Sequence, residues 1–470
     1  MRARIVVVNL LLGAALVTAI AGAPPPATAI QSVYDVDVAV IGGAPAGIAA
    51  ALAAARMGAS VLLIESGAQL GGVIASAWLT TFDMNLNSRG EHLTQGTFLE
   101  FFDRLGISFD PADATREFGR AVVHESGLRT IVDASLLRLR MDGRRIAAAD
   151  FRETRWGRRF VVRPRLVVDA TEDGDIAALA GAPYLIGRDG YRAGERWMQS
   201  ATLIFRVEGV LWRRLADEII YAVKQGGSDP RIWGVRGKAA WGFPWEMAHY
   251  RPAHPLNLAY PLNLALQRDG SILINSLNLT EVDGLNPASV QAGMARAVAE
   301  LPRLMAHLRA EVPWFERARL AGHAPALYIR ETRHVTGHYT LTVDDIVSGR
   351  IFDDRVAVAS YPIDIHPYYV GWTNPHPPTM RAYTIPFRAI VPQNVENLLL
   401  ASRAFSATSE AHGSARVIPT VMALGQAAGV AAALCAQLGC TPLQVVGDPV
   451  LMREVQRALI MQGAFLGGRP

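Results

Sequence analysis

Apolar residues run together from Val36 to Ile41 and again from Val61 to Ile64. Short runs of this kind bounded by glycine predict strands covered on both faces. Between them Pro45 opens a stretch in which Ala49 to Ala55 is almost all alanine, and Met57-Gly58 closes it. This is a helix slim enough to lie close on a sheet, with its proline in the first turn, where the missing N–H costs nothing. Leu136 to Leu139, Ile146 to Phe151 and Phe160 to Val162 predict three short strands, punctuated by the hairpin turns Asp142-Gly143 and Trp156-Gly157. A further buried strand, Leu166 to Ala170, breaks into a small, acidic, glycine-containing turn followed by a helix. Thr202 to Val207 and Ser271 to Leu277 read as strands, and Val290, Met294, Ala297, Val298 and Leu301 recur at the spacing of a core-facing helix. Near the end, Leu398 to Ala401 leads through a Ser/Thr-rich loop into a long small-residue helix from about Pro419.

The first unit has the chemistry of a dinucleotide turn. Gly42 permits the tight turn, Gly47 permits close helix–strand packing, and the free N–H groups at the helix start face a pyrophosphate. Glu65, closing the second strand, can accept hydrogen bonds from a ribose diol. Ala44 stands where the middle glycine of G-x-G-x-x-G is expected, and its methyl presses slightly on the pyrophosphate. Leu70-Gly71-Gly72 lets backbone approach a flat ring or a pyrophosphate. The start of the late helix turns its positive dipole end toward whatever the preceding loop holds.

Composition narrows the class. The chain has 470 residues, half of them hydrophobic and 19% charged, which is globular and large enough for two cored domains. The net charge of +4 comes without a dense basic block, so nucleic acid is not an expected partner. Lys224 and Lys238 are the only lysines. Two cysteines, Cys435 and Cys440, exclude a disulfide scaffold and are too few for a metal site by themselves. Arg2 and Arg4 precede the apolar run Ile5 to Ala21 and then small residues, the order of a secretory leader over residues 1–29. A periplasmic or secreted protein, with no membrane attachment once the leader is cleaved, is the expectation. The twin-arginine pattern is missing, so any cofactor would be acquired after export.

Four segments together resemble the FAD-dependent oxidoreductases of the glutathione-reductase-like flavin fold, in the family sometimes labelled xanthan-lyase-like. They are "VAVIGGAPAGIAAALAAARMGASVLLIES", "VVDATEDGDIAALAGAPY", "IRETRHVTGHYTLTVDDI" and "ENLLLASRAFSATSEAHGSARVIPTVMALGQAAGVAAAL", spanning about Asp35 to Gly439. The resemblance implies an α/β fold: a Rossmann-like FAD-binding domain with an inserted α+β substrate domain. Residues 33–186 and 384–445 would be the two parts of the FAD-binding domain, 187–383 the substrate domain and 446–470 a tail. It further implies that Gly42, Gly43, Pro45, Ala46 and Gly47 cradle the pyrophosphate of FAD and that Glu65 binds the adenosine ribose. Gly71 and Gly72 would lie near the ribityl chain or isoalloxazine. Ala170, Thr171 and Asp173 would cover the adenine side, and Arg403, Ser406, Gly425 and Gln426 would approach the ribityl and pyrimidine end. The family's strand usually ends Ala-Gly-Arg, where this chain has Ala401-Ser402-Arg403. No second G-x-G-x-x-G is present for a nicotinamide domain, which favours the substrate as reductant.

Two clusters in the inserted region carry chemistry. In "YIRETRHVTGHYT", Tyr328 to Thr340, strand alternation would put Arg330, Thr332 and His334 on one face and Glu331 and Arg333 on the other, as a charged strand or as an anion clamp. In "YPIDIHPYYVGWTNPHPP", Asp364 and His366 are two apart and would share a face, the carboxylate holding the imidazole tautomer and raising its basicity. His366, Asp364 and Arg333 are the expected catalytic residues. Tyr368, Tyr369 and Trp372 would anchor the loop or stack on a sugar. His338, His366 and His376 match no compact metal motif, and no metal is expected. The expectation is therefore an exported enzyme in which FAD takes hydride from a small polar substrate, an alcohol or carbohydrate, and passes electrons to oxygen or another acceptor. The alternatives are a non-redox lyase or isomerase, or an accessory binding protein with a degenerate FAD site.

Overall fold

A strand of twelve residues, β1 (Ile30–Ile41), opens the computed structural model, which describes residues 30–188, 197–224, 234–376 and 381–467. The expected leader lies outside the described residues, as do 189–196, 225–233 and 377–380 of the inserted region and 468–470 of the tail. After the glycine turn come the helix α1 (Pro45–Arg56) and the strand β2 (Val61–Ile64), whose Val61 pairs in parallel with Val38. Next comes β3 (Leu128–Ile131), parallel to β2, a strand that no apolar run announced, and then β4 (Ala134–Asp142) and β5 (Arg145–Glu153), joined as the expected hairpin.

The strand β6 (Arg159–Asp169) corrects the sequence reading in one respect. Phe160 to Val162 and Leu166 to Ala170 are one continuous strand, beside β1 over its whole length. Its other neighbour changes midway. β5 pairs with it up to Val162, and the strand Leu398–Leu400 pairs from Val167 onward. Pro164 falls in the gap between them, where its absent N–H breaks no ladder. The result is a seven-stranded sheet, β3-β2-β1-β6-β5-β4, with Leu398–Leu400 also on β6.

The helix Ile418–Leu438 packs along α1. It is long and apolar enough to cross a membrane by composition, yet it lies in the protein core. Small residues explain the approach. A methyl placed on Gly425 would sit 2.1 Å from the Ala46 carbonyl oxygen, and one on Gly429 2.1 Å from that of Ala50. Two backbones can come this near only where one side carries no Cβ. Cys435 is a buried free thiol in this helix, and Cys440 lies half-buried just beyond it.

A second, six-stranded antiparallel sheet is built from residues Ala201–Glu208, Gly234–Arg236, Ala239–Gly242, Asn257–Leu266, Ile272–Leu279 and Arg319–His323. The helix Pro287–Glu311 closes this unit, capped by Asn286, whose Oδ1 accepts from Ala288 N–H. Ala297 and Leu301 face its core as expected, whereas Val298 points outward. This second core runs from Ala201 to Leu327. Val335, Ile346, Val356, Ile365 and Tyr383, within the 187–383 of the sequence reading, belong to the first core instead.

Candidate active site

The carboxyl ends of β1, β2 and β6 meet at α1. Gly42 has φ +114°, and a methyl there would lie 2.2 Å from the Ala170 carbonyl oxygen. One on Gly47 would lie 1.9 Å from the Gly42 carbonyl oxygen. Both positions therefore need glycine. Glu65 accepts from Gly43 N–H at 2.5 Å and from Gly67 N–H at 2.6 Å, so it clasps the turn after β1 to the one after β2. Gly71 N–H reaches the Gly43 carbonyl at 2.8 Å. Gly72, at φ +50°, leaves room for the methyl of Ala44, which a Cβ at 72 would meet at 2.8 Å. The alanine in place of the middle glycine is thus matched by a glycine opposite it.

Asp169 organises the next turn. It is fully buried, and its carboxylate accepts from Thr171 N–H, Thr171 Oγ1 and Ala177 N–H. Burial still pushes its pKa up to about 6 despite those donors. Asp169→Ala would strand three donors and is expected to cost about 3 kcal/mol, read as a lowered urea midpoint with unchanged slope. An unshifted midpoint would show that the turn stands without it.

Beyond this turn Arg403 forms a close ion pair with Glu172 and reaches Asp173 Oδ1 at 2.7 Å. Arg403, Glu172, Ser402 and the first turn of α1 line a cleft with Arg330 and Arg416 at its far side. That far side is shared with a cavity of about 460 Å³ lying between the two units. Asp83, Tyr328, Arg330 and Arg416 border both, so the cleft and the cavity are continuous.

Asp364 and His366 face this cavity, with Nε2 of His366 3.4 Å from the Asp364 carboxylate. The residue that sets the tautomer is Asn278. Its Nδ2 donates to the Ser276 carbonyl, so its Oδ1 accepts, and His366 Nδ1 stands 3.2 Å from that oxygen. Nε2 also faces an acceptor, the Asp364 carboxylate, but at the longer distance, so we assign the proton to Nδ1 and the lone pair to Nε2. Burial and the nearby Arg330 hold His366 down to about 4, against the pull of Asp364. Asp364 is held well below the usual carboxylate range because His366 and Arg416 outweigh its burial. Asp83 goes the other way: burial and the Asp364 charge push it up to about 6.

The other expected residues are dispersed. Arg333 donates to the Asp173 carbonyl and to Asp175 at 2.7 Å, stacks over Tyr184, and lines neither the cleft nor the cavity. Its neighbour Arg330 takes the inward position. The alternation expected for this segment does not hold, because only Arg333–Val335 is strand, and Arg330, Glu331, Thr332 and His334 are all buried. Glu331 accepts from His334, Ser409 and Gln199 N–H. His412 completes a Glu331–His334–His412 group whose ligand atoms lie within 4.8 Å of one another, in which Glu331 already serves those three donors. Ser406 is buried against Thr340. Gly425 serves the helix crossing. Gln426 accepts from Thr97 N–H and donates to the Gln462 carbonyl, outside the cleft. Tyr368 is buried with its hydroxyl on Ser409, and Tyr369 packs on Trp197, so neither presents a face to the cavity. Trp78 and Trp241 do line it.

The profile of the family described as FAD dependent oxidoreductase matches residues 37–459. The chain belongs to this family. The fold is similar to that of a geranylgeranyl bacteriochlorophyll reductase-like protein from Thermoplasma acidophilum, at 12% identity over 92% of this chain and 84% of that one, with a TM-score of 0.43. It is also similar to a p-nitrophenol 4-monooxygenase from Pseudomonas putida, at 9% identity over 65% and 71% of the two chains and a TM-score of 0.39. No curated protein sequence matches the chain.

As an FAD-dependent oxidoreductase the chain must hold a dinucleotide, and the residues around α1 fit one. Gly42 and Gly47 bring backbone closer than any side chain would permit, and the N–H groups of the first turn of α1 are turned to the cleft that Ala44, Pro45 and Ala46 line. Arg403, buried at the same cleft, is already paired with Glu172 and Asp173 and shapes the cleft wall. Glu172, Asn278, Asp83 and Arg416 were not singled out from sequence. Arg416 sits in the quoted "AHGSARVIPT", while nothing local marks Asp83 or Asn278.

Proposed function

We propose that the enzyme oxidises a small polar organic substrate, an alcohol in the simplest case, bound in the cavity between the two units. The observation that carries this reading is the neutral His366, with its Nε2 lone pair held by Asn278 in the cavity that continues into the FAD cleft. FAD, when bound, supplies the hydride acceptor. The chain's own part is to seat the substrate and to take the proton. As the substrate C–H bond gives up its electron pair, the hydroxyl proton passes to His366 Nε2 and the C–O bond becomes a carbonyl. Asp364 then faces a newly formed imidazolium at 3.4 Å and stabilises it. Oxygen or another acceptor receives the two electrons in a second half-reaction. The charged, apolar, small-residue order of residues 1–29 supports export of this enzyme.

The test is the visible spectrum of the protein purified from residue 30 onward. The expected result is a flavin spectrum, FAD released on denaturation, and anaerobic bleaching by at least one member of an alcohol, sugar and amine panel. A protein that stays colourless after incubation with FAD would overturn the redox reading.

A further inference from the structure

We propose that the substrate carries a carboxylate, or an equivalent anion, on an apolar body, and that Arg330 binds it. This rests on the reading that the cavity is the substrate site, and it adds the class of substrate.

Arg330 is 2% exposed and borders both cleft and cavity. Its Nη1 donates to the Ser200 carbonyl and to Thr202 Oγ1, and its plane lies over the Tyr328 ring at 4.5 Å. These partners are neutral. Among the described residues no carboxylate lies within ion-pair distance of Arg330, and its Nε has no partner at all. A guanidinium this deep normally sits against a carboxylate or a phosphate. Burial lowers the pKa of Arg330 to about 10, the mark of a cation whose hydration has not been replaced. The neighbouring Arg416 also has an unpartnered Nε, but unlike Arg330 it already has a carboxylate, Asp364, and the Tyr328 hydroxyl on its other nitrogens. An anion seated in the cavity, on the side of Asp364 and His366, would give Arg330 the partner it lacks there. Leu79, Phe82, Ile204, Leu264 and Leu273 wall part of that cavity, beside Thr80, Arg236, Asn263 and Asn275, so the substrate joins an apolar stretch to the hydroxyl that faces His366.

The charge balance around Arg330 agrees. Facing it are the cation Arg416, the carboxylates of Asp364 and Asp83, neutral His366 and the Tyr361 hydroxyl. With Asp83 ionised the group is electrically neutral and an incoming anion would leave one negative charge in excess. With Asp83 protonated there is one spare positive charge, which an anion cancels. Anion binding thus takes up a proton at Asp83, and affinity is level just below about pH 6, until the ligand's own carboxylate protonates, and falls by up to about tenfold per pH unit above it.

The experiment is titration calorimetry of the purified protein with phenylacetate, phenylacetamide and phenethylamine, and with straight-chain acids up to decanoate beside their amides, FAD content being read separately from the visible spectrum. We expect at least one acid to bind tenfold or more tighter than its amide at pH 6. Arg330→Gln is expected to abolish that preference and Arg330→Lys to keep part of it. Asp83→Asn is expected to remove the loss of affinity between pH 6 and 8. Amides or the amine binding as well as every acid, or an acid preference that survives Arg330→Gln, would overturn the proposal. Should Arg330→Gln fail to fold, the Asp83→Asn pH profile decides, since a site that binds no anion has no proton uptake to lose. A protein that carries FAD but prefers no acid refutes the anion alone. One that prefers acids yet never takes up FAD refutes the redox reading and leaves the anion site standing.

Discussion

Gly425→Ala and Gly429→Ala are each expected to lower the unfolding free energy by about 3 kcal/mol. The added methyl would meet a carbonyl oxygen of α1 at 2.1 Å, where real Cβ contacts stay beyond 3.0 Å. The obstacle is backbone on the partner helix, so no side chain can rotate away, and the two helices must move apart. That movement displaces the first turn of α1, of which Ala46 is part and which lines the FAD cleft. FAD retention after dialysis should therefore fall together with the urea midpoint. Gly439→Ala separates space from backbone strain. Gly439 caps the same helix at φ +68° with nothing within 4 Å of an added methyl. Its replacement strains the backbone but strikes nothing, and should cost about 1 kcal/mol with FAD retained. Wild-type stability and FAD content in Gly425→Ala would show that the two helices do not approach as described.

The same glycines show where sequence reasoning stops. The turn after β1 could be read because strand, glycine turn and helix are consecutive, and Gly42 meets Ala170 at the end of the strand next to it. Gly425 lies far along the chain from the carbonyl it touches, and a small-residue helix gives no sign of which helix it will meet. The resemblance placed it near the flavin, whereas the packing places it beneath Ala46. The segment from Tyr328 to Thr340 was misread for a different reason. Alternation supposes one wet face, and here Arg330 and Glu331 are consecutive and both buried, Glu331 among its own donors and Arg330 at the cavity. Asp364 and His366 came together as their spacing suggested, but the tautomer is set by Asn278, from the strand Ile272–Leu279 of the other unit. A contact between units has no local signature.

His366→Gln should slow anaerobic bleaching, by the substrate found in the panel, by roughly 10²–10⁴-fold at pH 7 while leaving FAD content unchanged. The glutamine keeps a donor for Asn278 but offers no basic nitrogen to the substrate. The pH dependence identifies the base. A base works deprotonated, so at saturating substrate the rate of the wild-type enzyme should be level near neutrality and fall as pH drops through about 4, where His366 gains its proton. Asp83 is the competing base in the same cavity, and were it the proton acceptor the fall would come through about 6. Pre-steady-state mixing after a brief pH jump reads the limb before acid unfolding intervenes. Asp364→Asn should slow the same step by less, because the imidazolium loses its stabilising charge while Nε2 keeps its lone pair. A limb near 6, or a His366→Gln enzyme that bleaches at the wild-type rate, would remove His366 from the proton transfer and assign it to Asp83 or to solvent.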